Sequence, residues 1–569
     1  MSITRKGAKG LALLAGGALA LSACSTGSSS ESDSTASGGE DVTITAGYEQ
    51  EFSAYNNNTS GNNALKNQIV LNQVLPSFWE FGPDGEVRPV DDFGSYEKTS
   101  DEPLTVKYTI SDEAVWSDGD PIDCDDIVMQ WAAMSGKFTD AAFDPASTSG
   151  FERMQQPQCA EGDKEVTIVY DEPYADWVAA IGGPTANLLP AHIVEQQAGV
   201  ESIVDAATNN DSASMAKAAE FWNNGWSFAP GDLNTDTIPS SGPYVIDAWK
   251  AGDSITLKAN PEWWGEAPKA STVVIRFVAQ DAQAQALQNG EIQIAEPQPN
   301  PDVLDQLAAA GDGIKVLKGD QFAFEHLDFN FTGQFADATL RQAFASCVPR
   351  QEIVDKLIIP VNPDAKVLQS RLMFPFQPGY DDLAAAVTDG AYDTANLDAA
   401  RQLMNGRTNV PVRIGHIVPN QRRTDTVALI KASCDQVGFD VQDIGSATFF
   451  DDGGGLDSGD FDVALFAWIG SSLVSGNSSI YTTDGGQNKG HYSSATIDGL
   501  MPQLEEATDK DEQHQLMTQI DKTLWDDLAT IPLFAHPGTA AHASNIDGVV
   551  YQPAQTQIEW NMQQWAVTS

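Results

Sequence analysis

Two spacings of apolar residues alternate along the chain from Val42 onward. In "LTVKYTI", Leu104, Val106, Tyr108 and Ile110 fall on one side, and Thr105, Lys107 and Thr109 on the other. An apolar residue at every second position predicts a half-buried strand. "YVIDAWKAGDSITLKAN" reads as two strands turning at Ala251-Gly252-Asp253. "VPVRIGHIV" alternates as well, and its His416 falls on the apolar side, where a packed histidine is expected. Helical spacing follows over Thr424 to Val437, and "FDVQDI" is the next strand. Strand, helix and strand in succession predict an α/β lobe. "FDVALFAWIG" is a further strand, ending in a loop at Trp468. No internal repeat and no coiled-coil heptad interrupts this pattern, and the least regular stretches are 451–460 and 471–490.

The stretch "WSDGDPIDCDDIVMQW" holds five carboxylates: Asp118, Asp120, Asp123, Asp125 and Asp126. A calcium loop of the EF-hand type needs Gly at its sixth position and Glu at its twelfth. Counted from Asp118, those positions are Asp123 and Met129. Local structure accounts for the acids better. Asp118-Gly119-Asp120-Pro121 is turn chemistry. Asp123 is placed to cap a helix, with Asp126 as its capping-box partner, and Ile127, Trp131 and Met134 follow at helical spacing. Carboxylates in a first turn also favour the positive end of the helix dipole, by roughly 0.3–1 kcal/mol each.

At 569 residues the chain is too long for one ordinary core, and two to four domains or lobes are expected. Thirteen Trp and 24 Phe supply cores and an aromatic-lined pocket. The formal net charge of −49 repels nucleic acid and anionic headgroups, which removes nucleic acid from the expected partners.

The first 24 residues carry Arg5, Lys6 and Lys9, then a short apolar run from Leu11 to Leu21. That run is too short for a stable membrane span and reads as a signal peptide over 1–23. Its end, Leu21-Ser22-Ala23-Cys24, resembles the bacterial lipobox, in which the cysteine is lipidated and becomes the first mature residue. Diacylglycerol on Cys24 would anchor the protein to the cell membrane without spanning it. Residues 24–40 are rich in Ser and Gly and form a tether. The four cysteines that remain, Cys124, Cys159, Cys347 and Cys434, suit an oxidising compartment. They allow three pairings. Nearness in sequence and separate lobes favour Cys124–Cys159 with Cys347–Cys434. No Cys/His spacing of a metal site is present.

Six segments in order carry a family resemblance. "LTVKYTISDEAVWSDGDPIDCDDIVMQW" resembles the signature of the extracellular solute-binding protein family 5, the peptide- and nickel-type receptors of ABC importers. Ser111 stands where that family usually has Arg. "SGPYVIDAWKAGDSITLKANPEWWGEAPK", "AQALQNGEIQIAE", "LDFNFTGQFADATLRQAFASCVPRQEIVDKL", "FDVALFAWIG" and "LWDDLATIPLF" are similar to later landmarks. The resemblance implies an α/β, periplasmic-binding-protein-like (Venus flytrap) fold with two lobes and an additional subdomain. Lobe I is expected at 41–310 plus 525–569, with a small subdomain at about 86–200, and lobe II at 311–524. The implied function is a lipid-anchored, extracytoplasmic receptor that captures peptides between its lobes and hands them to a membrane permease and ATPase complex. A monomer without cofactor or metal is expected. The alternatives are the same fold holding an oligosaccharide or nickel chelate, or a peptide sensor without import. Trp79, Trp222 and Trp226 are the candidates for stacking on a sugar. Catalytic grammar such as GxSxG, HExxH or a Walker A loop is missing, so no enzyme is expected.

Peptide-binding relatives place an Asp three residues after the strand-end Trp, to hold the peptide's ammonium. Here Trp468 is followed by Ile469, Gly470, Ser471 and Ser472, and Glu296 and Asp484 are the other candidates for that role. "YNNNTSG" brings Tyr55, Asn56, Asn57 and Asn58 to the loop that faces the cleft in relatives, where they serve either as amide contacts or as turn formers. Phe534, after "TIPL", resembles a cleft aromatic.

Overall fold

In the computed structural model, residues 42–388, 390–450, 453–554 and 556–568 are described. The leader, the tether and Cys24 lie outside them, as do Asp451 and Asp452 of one irregular stretch.

The alternating segments assemble into one ten-stranded mixed sheet. In chain order its strands are β1 (Thr43–Tyr48), β2 (Tyr244–Lys250), β3 (Ser254–Ala259), β4 (Thr272–Phe277), β5 (Ile294–Ala295), β6 (Ile314–Phe329), β7 (Val410–Gly415), β8 (Phe439–Asp443), β9 (Val463–Ile469) and β10 (Thr530–Ala543). Their order across the sheet is β8-β7-β9-β6-β10-β5-β1-β4-β3-β2. The hairpin of β2 and β3 turns at Gly252, whose φ of 67° suits a residue without Cβ. β7 and β8 run parallel and are joined by the helix Gln421–Cys434, which begins three residues before the sequence pattern suggests. Asn420 explains the earlier start, because its side chain accepts from the Arg423 amide and caps the helix. His416 is fully buried, with Nε2 2.9 Å from Asp443.

Two strands tie the halves of the sheet together. β6 and β10 pair antiparallel from Ile314 opposite Ala543 to Asp328 opposite Thr530. The ladder slips between Asp320 and Phe324, so that Gln321–Ala323 stand against His536 alone. Such a bulge removes ladder hydrogen bonds and bends the strand.

A three-stranded antiparallel sheet, Gly94–Asp101, Leu104–Ile110 and Glu165–Val169, forms a smaller layer. Leu104, Val106, Tyr108 and Ile110 are each at most 1% exposed, and burying side chains of this size contributes about 1.5–3 kcal/mol apiece. The helix Cys124–Met134 packs nearby. Asp123 accepts from the Asp125 amide and Asp126 accepts from the Asp123 amide, closing the capping box. Disulfides join Cys124 to Cys159 and Cys347 to Cys434. The second ties the helix Ala338–Cys347 to the helix Gln421–Cys434.

Candidate functional site

The C-terminal end of β9 breaks the burial rule of its own strand. Val463, Ala464 and Leu465 are fully buried, whereas Ile469 is 69% exposed. The cause is its partner: Ile469 pairs with Ala323, the last residue of the β6 bulge, and beyond it the Gly470 amide donates to the Phe322 carbonyl at 2.7 Å. The chain then leaves the sheet and Ile469 projects into open space. Three cavities of about 720, 290 and 330 Å3 all have Ile469 in their walls. The last two also share Thr185 and Gly470, and the first and third share Leu65, Gln321 and Gln557. They are bays of one cleft lying across the bulge.

The largest bay has walls of opposite charge. On the side of β1 and β5 it meets Glu49 and Glu296. One carboxylate oxygen of Glu296 is buried without a hydrogen-bond partner, and so is one of Glu559. Burial, and then the neighbouring Glu559, push the Glu296 carboxyl well above the usual carboxylate range. On the opposite side stand Arg422 and His536. Arg423 Nε donates to Glu325 Oε1 at 2.6 Å, and His536 Nε2 lies 2.7 Å from Glu325 Oε2. Arg422 Nη2 is more distant, at 3.8 Å from Glu325, and its Nε has no partner. Burial alone would raise the Glu325 carboxyl. The hydrogen bond to His536 and the charges of His536, Arg423 and Arg422 outweigh it and hold that carboxyl well below its usual range. One carboxylate thus faces two guanidinium groups, and the N-terminus of the helix Gln421–Cys434 adds partial positive charge. Amide side chains fill the ground between the walls, and among the described residues those of Gln298, Gln321 and Gln557 meet no hydrogen-bond partner.

The second bay is aromatic. Trp468, Phe81, Phe324 and Phe374 face it. Trp468 stacks on His326 with ring centroids 5.9 Å apart, and its Nε1 has no partner. Ser471 lines the bay, its hydroxyl accepting from the Leu473 amide, while the Ser472 hydroxyl is buried and unpartnered.

Several expected contacts are corrected. Tyr55, Asn56 and Asn58 are buried with their polar atoms committed inside the protein. The Tyr55 hydroxyl donates to the Pro239 carbonyl. Asn56 Nδ2 donates to the Trp222 carbonyl and its Oδ1 accepts from the Asn58 amide. Asn58 bridges Asn187 through both its Nδ2 and its Oδ1. Nothing polar is left on these three for a ligand. Asn57 does reach the wall of the third bay, although its side chain is bonded to Gln68 and to the Ala64 amide. Phe534 is fully buried in β10 and lies beneath Arg422, whose guanidinium carbon is 5.7 Å from the ring centroid. It is a floor for that cation, not a cleft aromatic. Asp484 lines none of the three bays.

The residues that sequence reasoning passed over are Ile469, Arg422, Gln321 and Phe324. Ile469 left one signal: an isoleucine at a strand end directly before Gly-Ser-Ser. Arg422 left none, because its helix was expected to begin after it.

Two α/β halves joined by two long strands, with a ligand-sized cleft across the joining strands, define a two-lobed binding protein. The chain belongs to the bacterial extracellular solute-binding proteins, family 5, whose description matches residues 89–491. Members are binding proteins of ABC importers, not enzymes. An uncharacterized lipoprotein of Mycobacterium tuberculosis is 31% identical over 538 residues, covering 90% of this chain and 91% of that one. An oligopeptide-binding protein OppA of the same species is 30% identical over 501 residues, covering 85% of this chain and 78% of the other. Among solved structures, a periplasmic EDTA-binding protein EppA superimposes with a TM-score of 0.81 at 22% identity, covering 93% and 97% of the two chains. The oligopeptide-binding protein AppA from Bacillus subtilis, in complex with a nonapeptide, does so with a TM-score of 0.66 at 18% identity, covering 93% and 99%. These structures share the fold.

Proposed function

We propose that the protein is an extracytoplasmic lipoprotein, anchored through Cys24, that captures short peptides between its lobes and delivers them to an ABC permease and ATPase complex. The lobes are 41–310 with 525–569, and 311–524, and the subdomain lies at about 86–200. The observation that carries the reading is the bipolar, amide-rich bay at the β6 bulge. Its volume of about 720 Å3 lies in the upper part of the roughly 300–1,000 Å3 range of small-molecule sites, which leaves room for a short extended ligand. An extended peptide carries an ammonium, a carboxylate and a row of amide groups. Glu49 suits the first, with Glu296 ionising only once an ammonium sits beside it, Arg422 suits the second, and the glutamine amides the third. The aromatic bay offers room for side chains. The oligopeptide-binding name of a 30% identical relative supports the same ligand class. No described helix is long and apolar enough to cross a membrane.

Binding would bias a hinge equilibrium, because the two walls contact one ligand together only when the lobes close. Native mass spectrometry of protein purified without refolding tests the reading. A heterogeneous set of co-purified short peptides is the expected result. A sugar adduct, or a single metal or metal chelate, would overturn the peptide assignment.

A further inference from the structure

A fourth cavity, of about 110 Å3, lies at the C-terminal end of the helix Leu65–Leu71 and meets the cleft at Gln68 and Pro184. Its chemistry differs from that of the cleft. Phe93, Trp263 and Trp560 form its apolar walls, and no Lys, Arg or His lines it. Its polar lining includes two carboxylates and the oxygens of Gln73, Gln563 and Ser241. The carboxylates of Glu80 and Asp92 face it, and neither makes a hydrogen bond within the protein. Arg88, on the strand paired with that of Glu80, is engaged by Asp84 at 2.8 Å. Gln73 Nε2 donates to the Trp560 carbonyl at 2.7 Å, which fixes the amide and leaves Gln73 Oε1 without a donor. Gln563 Oε1 and the Ser241 hydroxyl are unpartnered too. Gln73 and Ser241 are 3% and 1% exposed, so a donor reaches them only if the cavity wall shifts to admit it. Buried acceptors left in this state cost free energy until a donor arrives.

We infer that this cavity is a second binding site, separate from the peptide cleft, for a protonated organic amine with an apolar body. An ammonium carries donors and no acceptor, which matches the two carboxylates and Gln73 Oε1. Its charge answers Glu80 and Asp92, and aromatic faces attract a cation placed over them. The apolar part of the ligand covers Phe93 and Trp263. Burial lifts the Glu80 carboxyl to about 7, against the pull of Arg88. The charged groups around it are Arg88 on the paired strand, Asp84 beyond Arg88, and Asp92 in the same cavity wall. Bound ammonium favours the ionised form of Glu80 and so releases a proton near neutrality. Affinity therefore rises with pH through that range.

Calorimetric titration of the full-length protein with 2-phenylethylamine, and with 2-phenylethanol as the uncharged analogue, tests the inference. The amine is expected to saturate one site and the alcohol to bind at least tenfold more weakly. Amine affinity should rise by about tenfold between pH 6 and pH 8, following the ionised fraction of a group titrating at 7. Glu80→Gln should weaken the amine at least tenfold. Asp92→Asn, at the exposed mouth, should weaken it several-fold with no demand on the core, so it decides the matter if the first variant folds poorly. Ile469→Ser, which alters the cleft, should leave the amine affinity within twofold. Equal binding of amine and alcohol, no saturable binding, or indifference to both acidic substitutions would overturn the inference. Loss of amine binding in Ile469→Ser would reassign the amine to the cleft. None of these results bears on whether peptides occupy the cleft.

Discussion

Ile469→Ser separates affinity from stability. In most strands a buried isoleucine holds the fold together, so its removal lowers stability. Ile469 is 69% exposed, and its side chain projects into the cleft at the junction of three bays. Complete burial of an isoleucine side chain contributes about 1.5–3 kcal/mol. A ligand that covers the exposed two thirds gains about 1–2 kcal/mol from it, which is roughly a 5- to 30-fold change in Kd. The unliganded fold has little to lose, and its unfolding free energy should stay within about 0.5 kcal/mol. Titration calorimetry with a peptide from the co-purified pool reads the first quantity, and urea unfolding of ligand-free protein reads the second. An unchanged Kd would remove Ile469 from the ligand surface. A loss of stability matching the loss of affinity would mean that Ile469 packs within the lobe and that the cleft is drawn wrongly.

Other substitutions test the walls and the frame. Arg422→Met should weaken peptide binding by about 1.5–3 kcal/mol, the range for a hydrogen bond to a charged group, and peptides amidated at the C-terminus should lose the difference between variant and parent. Glu325→Gln should lower unfolding free energy by about 3–5 kcal/mol, because it leaves Arg423 and Arg422 without their counter-charge. The folded-state pKa of Glu325 is depressed, so its contribution is present above the unfolded value of about 4.3 and is lost as pH falls further. Urea unfolding of the parent and the variant should therefore converge on acidification below about pH 4. Replacing Cys347 and Cys434 together by Ser should cost about 4 kcal/mol, since their bond closes a loop spanning 87 residues, and a variant as stable as the parent would refute that. Asp123→Ala removes a helix cap and should cost about 0.5–2 kcal/mol in the same assay.

Local grammar carried well from sequence to structure. The alternation in Leu104–Ile110, the turn at Gly252 and the capping box of Asp123 with Asp126 depend on residues within a few positions of each other, and each is present. The cleft was harder to see because it is non-local. Asn56 and Asn58 have the composition of a contact loop. What decides their role is the Trp222 carbonyl and Asn187, more than a hundred residues away, which take up their amides. Phe534 follows the same rule: its place in the chain suggests a cleft, and its pairing inside β10 buries it. Arg422 was invisible for a different reason. Only the Asn420 cap, which moves the helix start upstream, brings it to the cleft wall.

The bulge and the ion cluster occupy neighbouring stretches of β6, and their order along the strand bears on how the lobes close. At Gln321–Ala323 the ladder to β10 is broken, and Pro537, which faces Asp320 at its edge, has no amide to donate. Gly319 and Gly538, opposite one another, flank the break. Bending there breaks no ladder bond to β10, although Phe322 is held by the Gly470 amide and the Pro553 carbonyl. Two residues further on, Glu325 ties β6 to Arg423 of the neighbouring helix and to His536, the β10 residue opposite the bulge, and the ladder shifts register again between Glu325 and His326. A bend confined to Gln321–Ala323 keeps Arg422 and Ile469 together while swinging Glu49 and Glu296 toward them. Closure then changes the distance between the two charged walls and leaves each wall intact, which is the motion a zwitterionic ligand can drive.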